Sequence, residues 1–314
     1  MSLPGFIPAE VAARTTVYPS HEEWLADRTD RGAMRVGGTT AAALVGLSAF
    51  RGPWDVWADY HAPEGYKRPQ ADAATLSAGL WWEPHIRQWY AEHAPADVWS
   101  EPCMVRGILP WMVASVDGFV LRDGEVGLLE IKTARSREGW GKDGETAETA
   151  NDHRVAPLGY VVQCYWYMAV TGLPWTDLVV MFGPQDVRTY RIMADKGYQA
   201  TLARRVMAAR QRYMVDGEQP DPDASDACVA SMNARHREGE EPITPEVLAA
   251  AREYDTVKDA RAEAQKAEKL AKARLLAAMG DTETFTTTNR DGEPYRVLWT
   301  TGSRIYTNLP KGEA

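Results

Sequence analysis

Residues 111–134 read WMVASVDGFVLRDGEVGLLEIKTA, two apolar runs hinged on Asp123-Gly124. An Asp-Gly pair between such runs is a two-residue hairpin signal. A tight turn there pairs Arg122 with Glu125 and lays Asp117 opposite Glu130, with Cβ atoms ~4.5–5.5 Å apart. Strand side chains alternate with period two, so Glu130 and Lys132 share a face. Opposed like charges destabilise a strand pair, and a hard divalent cation held by oxygen ligands removes that conflict. The hairpin therefore reads as a Mg²⁺ site beside an ammonium, an arrangement suited to phosphodiester chemistry. A solvated charged face is the commoner fate of such residues. Here the neighbours Met112, Val113, Val116, Phe119, Val120, Leu128, Leu129 and Ile131 are apolar, and unpaired charge in buried strands is costly.

The 314 residues hold one large domain, or one domain with an appendage. An apolar fraction of 45% and a charged fraction of 25% are ordinary for a globular chain. No apolar run nears the ~20 residues of a membrane span. The opening MSLPGFIPAEVAART lacks a basic start and an apolar core, so no secretory signal is expected. Cys103, Cys164 and Cys228 form no CxxC pair, which disfavours thiolate metal sites and fits a reducing compartment. A net charge of −9 argues against a simple nucleic-acid binder, yet a nuclease with a local basic groove is compatible with it.

Residues 20–62 read as helical, with a break at Arg35-Val36-Gly37-Gly38-Thr39-Thr40. A Gly-Gly-Thr-Thr start to an Ala-rich helix frees backbone N–H groups for an anion, with Arg35 beside them; an ordinary N-cap is the commoner meaning. Residues 77–93 read as a helix placing Leu80, Glu83, Ile86/Arg87 and Tyr90 on one face, with Trp81 and Trp82 assigned to the core. After the hairpin, the polar segment 135–157 is long for a loop. Residues 158–170 read as a helix sharing Tyr160, Gln163 and Tyr167 on one side. Residues 177–182 and 188–194 read as strands. Residues 196–215 read as an amphipathic helix whose Arg204, Arg205, Arg210 and Arg212 make a solvated basic face in preference to a DNA contact. The run PDPDA at 220–224 reads as a linker. Beyond it, residues 245–279 predict a helix that could reach roughly 50 Å, and residues 282–308 a small hairpin around Asp291-Gly292. The order of elements predicts an α/β fold with a mixed central sheet flanked by helices, plus a C-terminal long helix and β-hairpin. The expected division is 1–220 for the main domain, 221–245 for the linker and 246–314 for the extension.

Five segments occur in one order: RVGGTTAAALVGLSAFRGPWDVW, GLWWEPHIRQWY, VASVDGFV, LLEIKTA and YVVQCYWYMAVTG. Together they resemble the YqaJ-type viral recombinase family, relatives of phage lambda exonuclease within the PD-(D/E)XK nuclease superfamily. The resemblance covers roughly residues 30–220. It implies a restriction-endonuclease-like core and a metal-dependent exodeoxyribonuclease, processive and 5′→3′ on double-stranded DNA ends. Mg²⁺ is the implied cofactor, with Mn²⁺ able to substitute. Carried over by position, the metal ligands fall on Asp117, Glu130 and the Ile131 carbonyl, the E-x-K lysine on Lys132, the helix glutamate on Glu83 and a later glutamine on Gln163. The 5′-phosphate contacts fall on Arg35, Thr39 and Thr40. Thr40 stands where members often carry Asp, and Tyr165 where they often carry a second glutamine. The resemblance further implies a homo-oligomer of the trimeric-ring kind, a single-strand annealing partner, no membrane, and the cytoplasm of a bacterial host of a phage or prophage. The alternative is a catalytically inactive DNA-binding or recombination scaffold on the same fold, and the intact Glu83/Asp117/Glu130/Lys132 set argues against it.

Overall fold

The computed structural model describes residues 3–62, 73–94, 96–150, 152, 154–234, 238–288, 294–299 and 305–307. The chain divides into two compact units, Met1–Arg237 and Glu238–Ala314. In the first unit the helices are α1 (Ala9–Ala12), α2 (His21–Arg28), α3 (Gly38–Leu44), α4 (Pro53–His61), α5 (Ala73–His93), α6 (Leu158–Thr171), α7 (Lys196–Arg210) and α8 (Asp226–Asn233). The strands are β1 (Thr15–Val17), β2 (Asp97–Trp99), β3 (Cys103–Arg106), β4 (Val113–Ala114), β5 (Gly118–Arg122), β6 (Glu125–Thr133), β7 (Thr146–Ala147), β8 (Trp175–Gly183) and β9 (Asp186–Met193).

The expected mixed sheet is present, six strands in the order β2-β5-β6-β8-β9-β7. The hairpin read from Asp123-Gly124 joins β5 to β6 with Arg122 opposite Glu125. Both turn residues have positive φ, 53° and 81°, as a twist-matched two-residue turn requires. Strand β6 then lies parallel to β8, and α6 forms the crossover between them. A small second sheet, β1-β3-β4, lies in the same unit.

Strand β6 is buried on both faces, as a central strand with a parallel neighbour is expected to be. Its alternation sorts the core. Val126 and Leu128 join the larger cluster with α3, α6 and α7, while Leu129 and Ile131 join Ile86 and Tyr90 of α5. Glu130 and Lys132, in phase with Leu128, consequently face α6. Helix α3 packs on α6 at Gly38, where an added Cβ would lie 2.5 Å from Gln163 Cγ and 2.8 Å from Tyr167. The glycine in Gly-Gly-Thr-Thr is thus a packing requirement that brings the start of α3 against Gln163.

Two expectations are corrected. Trp81 is 58% exposed rather than core, lying against Trp82 and His85 on α5. Residues 221–237 belong to the first compact unit, past the expected boundary at 220. Ser225 caps α8, Cys228 packs with Trp54 and Trp57 of α4, and Ser231 hydrogen-bonds Asp55 in a buried contact. These long-range contacts outweigh the linker composition of PDPDA. A chain ending at 237 is therefore expected to fold. A chain ending at 220 uncovers Trp54 and Trp57 and should lose roughly 2 kcal/mol or more, the scale of one buried apolar contact plus a buried hydrogen bond. Thermal melts of the two truncations check this.

In the second unit, α9 (Pro245–Met279) is capped by Thr244, whose side chain accepts from the Val247 N–H, and stops at Gly280. Strands β10 (Thr284–Thr288), β11 (Pro294–Trp299) and β12 (Ile305–Thr307) form an antiparallel sheet, one strand more than the expected hairpin. The expected turn at Asp291-Gly292 lies outside the described residues.

Candidate active site

A cavity of about 490 Å³ opens beside the end of β6 and is lined by Glu83, Asp117, Glu130, Ile131, Lys132, Gln163 and Thr39, together with Arg28, Ser115 and Tyr167. Seven of the nine residues singled out in the sequence therefore meet at one place. Helix α5 supplies Glu83, the hairpin supplies Asp117 and the Glu130–Lys132 run, α6 supplies Gln163, and α3 supplies Thr39.

The hairpin ladder stops just before the carboxylates. Gly118 pairs with Leu129, and Asp117 then leaves the regular register. Its N–H donates to the Leu129 carbonyl at 3.2 Å, and its Oδ2 accepts the Ile131 N–H at 2.7 Å. The direct opposition expected for Asp117 and Glu130 is thus opened locally. Asp117 is tied to the backbone one residue past Glu130, and its charge still acts on the Glu130 carboxyl.

Glu130 is 2% exposed. Its Oε1 accepts from Gln163 Nε2 at 2.6 Å and from Lys132 Nζ, while its Oε2 is buried without a hydrogen-bond partner. Burial, then the charge of Asp117, pushes its carboxyl up to about 8 against the opposing pull of Lys132 and Arg28. For Lys132, burial works against the charged form, but Glu130 and Asp117 outweigh it and the ammonium is held above its usual range. Its Nζ also lies 5.5 Å from the Tyr160 ring centroid. Gln163 spans the site, donating to Glu130 and, at 3.0 Å, to the Tyr167 hydroxyl. Glu83 is raised by burial and by Asp117, and its Oε1 pairs with Arg87 one helical turn away at 2.6 Å.

Among the described residues, no three His, Cys, Asp or Glu side chains are drawn into a formed metal cluster. Glu130 Oε1 is held by cationic and amide donors, and Glu83 is held by Arg87. The donor set nonetheless fits a hard divalent cation. It consists of clustered carboxylate oxygens, with Asp117 raising the proton affinity of Glu130 and of Glu83, and Glu130 Oε2 is a buried acceptor with nothing to accept from. Mg²⁺ prefers one or two carboxylates plus outside oxygens, and Asp117 and Glu130 can supply that.

Two residues named for phosphate binding do not line the cavity. The Arg35 guanidinium is bound to Asp27, with Nη1 at 2.5 Å from Oδ1 and donating to the Asp27 carbonyl as well. Thr40 lies one residue past Thr39 and outside the lining. Besides Lys132, the cation at the wall is Arg28, at the end of α2, 4.8 Å from the Trp24 ring centroid. Sequence reading missed it because α2 reaches the cavity only through tertiary contacts, among them Trp24 Nε1 donating to the Cys103 carbonyl. The available signal was a Trp four residues before an Arg on one helical face, the spacing of a ring-supported cation.

Residues 23–174, which contain this whole constellation, match the YqaJ-like viral recombinase domain. YqaJ of Bacillus subtilis (strain 168) is 24% identical over 284 residues, covering 88% of this chain and 83% of that protein. Among solved structures, the alkaline exonuclease LHK-Exo of Laribacter hongkongensis, alone and in complex with dAMP, is similar at 24% identity and a TM-score of 0.47. The match spans 63% of this chain and 94% of that one. Among the described residues no helix is long and apolar enough to cross a membrane. Residues 23–174 are thus similar to the YqaJ-like viral recombinase domain.

Proposed function

We propose that the protein is a divalent-metal-dependent deoxyribonuclease that removes nucleotides from double-stranded DNA ends, with 5′→3′ polarity. The observation that carries the reading is the buried Glu130, with one oxygen unpartnered, set among Asp117, Glu83 and Lys132 in a single cavity. Asp117, Glu130 and the Ile131 carbonyl would hold Mg²⁺, with Glu83 as a further carboxylate. A bound Mg²⁺ polarises the scissile phosphate and acidifies the attacking water.

The chain's own groups do the rest. Lys132, held charged by Glu130 and Asp117, offsets charge that develops on the phosphate. Gln163 fixes the rotamer of Glu130 through its 2.6 Å hydrogen bond and keeps the free oxygen turned away from it. Arg28, with the hydroxyls of Thr39 and Ser115 on the same wall, takes the phosphate role assigned from sequence to Arg35 and Thr40. Arg35 instead ties the end of α2 to the segment before α3 through Asp27.

End-labelled duplex tests the reading. Wild-type protein should degrade it with Mg²⁺ and not in EDTA, and should prefer 5′-phosphoryl to 5′-hydroxyl ends. Arg28→Ala should erase the end preference, a loss of about 1.5–3 kcal/mol for a charge-assisted contact. Arg35→Ala should lower the melting temperature and leave the preference in place. Degradation in EDTA would overturn the function. An Arg28→Ala variant that keeps the preference would return the phosphate role to another residue.

A further inference from the structure

We propose that Arg87 is a positioning residue that holds Glu83 off the metal site until a cation competes for it. The inference rests on the reading of Asp117, Glu130 and Glu83 as metal-site carboxylates, and concerns how that site is loaded.

Glu83 stands in the wall between two cavities. One is the 490 Å³ cavity of Asp117 and Glu130; the other, of about 450 Å³, is lined by Trp24, Leu25 and Arg87, and Asp117 and Arg28 line both. Arg87 lines only the second. Residues four apart on a helix face the same way, and Arg87 Nη2 reaches Glu83 Oε1 at 2.6 Å. One Glu83 carboxylate oxygen is therefore held by a cation that does not line the cavity of Glu130. Both side chains are partly shielded, 33% and 24% exposed, so the pair is not a fully screened surface contact. Helix α5 is anchored to the sheet by Ile86 and Tyr90, so the backbone under Glu83 is fixed and only its side chain needs to turn.

The parked arrangement is not fully satisfied. Arg87 Nε is buried without a hydrogen-bond partner. A buried donor with no acceptor is costly, so the ion pair with Glu83 leaves Arg87 only partly satisfied. Charge repulsion works the opposite way: with no cation present, Asp117 repels Glu83, and Arg87 is the opposite charge that relieves it. A divalent cation reverses that preference, because it needs the same oxygen that Arg87 holds.

The test is Mn²⁺ binding to the full chain with no DNA, read by the loss of the free-ion EPR signal. Arg87→Met should bind Mn²⁺ about three- to tenfold more tightly, equivalent to about 0.6–1.4 kcal/mol. Removing any nearby positive charge also favours a cation, so the deciding comparison is made in a Glu83→Gln background. There the same substitution should change affinity less than about twofold, because no carboxylate is left to release. Arg87→Lys, which retains an i,i+4 partner for Glu83, should bind Mn²⁺ like wild type. Arg87→Gln replaces the Met variant if the latter does not fold. Unchanged or weaker binding by Arg87→Met, or an equal gain with and without Glu83, overturns the positioning role. If Asp117→Asn binds Mn²⁺ as wild type does, the metal site itself is misplaced and the proposal falls with it. If Asp117→Asn binds weakly and the Arg87 gain is absent, the site stands and Arg87 alone is excluded.

Discussion

Replacing Lys132 with Met is expected to lower single-turnover cleavage of linear duplex by about 10³-fold, the scale for removing one preorganised donor at a developing charge. Met keeps the packed stem beside Tyr160 and removes only the ammonium. Lys132 Nζ is one of two donors to Glu130 Oε1, and Gln163 Nε2 remains at 2.6 Å to hold the carboxylate in place. The cavity should therefore survive the change, and DNA affinity should move by only a few-fold. Metal affinity should rise slightly, because a cation has left the neighbourhood. The separation matters: a loss confined to turnover assigns Lys132 to the chemical step, whereas a parallel loss of metal and DNA binding assigns it to holding the site together. A Lys132→Met variant that cleaves within tenfold of wild type would remove Lys132 from the mechanism and revive the reading of the chain as a scaffold.

How much of this was legible in the sequence depends on the range of the contacts involved. The β5–β6 turn, the shared face of Glu130 and Lys132, and the side of α6 that carries Gln163 and Tyr167 follow from periods of two and 3.6 residues, which need no knowledge of the rest of the fold. Their convergence on one cavity followed because the crossover helix of a parallel strand pair must return over the sheet. The misreadings are of the opposite kind. Arg35 is beside Gly37-Gly38 in sequence, but its guanidinium is captured by Asp27, eight residues back. Arg28 carries no local signal beyond Trp24 four residues earlier, and reaches the cavity only because α2 packs against β3 through Trp24. The PDPDA run has linker composition, but the side chains that follow it, Cys228 and Ser231, find Trp54, Trp57 and Asp55 more than 170 residues away. Pairwise contacts at such separation leave no periodic trace. The opened register at Asp117 is a subtler case. The turn predicted the pairing correctly as far as Gly118 and Leu129, and at the next position the Asp117 carboxylate takes the Ile131 N–H instead.

Glu130→Gln is expected to raise the melting temperature of the metal-free protein at pH 8 while abolishing cleavage. The folded-state carboxyl of Glu130 is pushed up to about 8 from an ordinary 4.5, so the folded state binds its proton more tightly than the unfolded state does. That contribution to stability is complete below the unfolded value and is lost as pH rises through about 8. Between pH 6 and pH 8 the loss approaches about 2 kcal/mol, since each unit of difference in proton affinity is worth about 1.4 kcal/mol. For a unit of this size that corresponds to roughly 4–8 °C in melting temperature. In EDTA, then, wild type should melt markedly lower at pH 8 than at pH 6. Glu130→Gln should show a smaller difference, because a neutral amide has no proton to lose, and its Oε1 can still accept from Gln163 and Lys132. Titrating groups away from Glu130 are common to both proteins and cancel in the comparison, whereas Lys132 loses the charge that supports its ammonium. Saturating Mg²⁺ should then raise wild type at pH 8 by mass action, and the variant far less. The order of the two proteins at pH 8 should therefore invert, or at least close up, on adding the ion. Two parallel pH profiles in EDTA would show that Glu130 is not the buried titrating group. An equal Mg²⁺ shift in both proteins would show that the unpartnered Oε2 is no ligand, and the metal site would have to be sought away from β6.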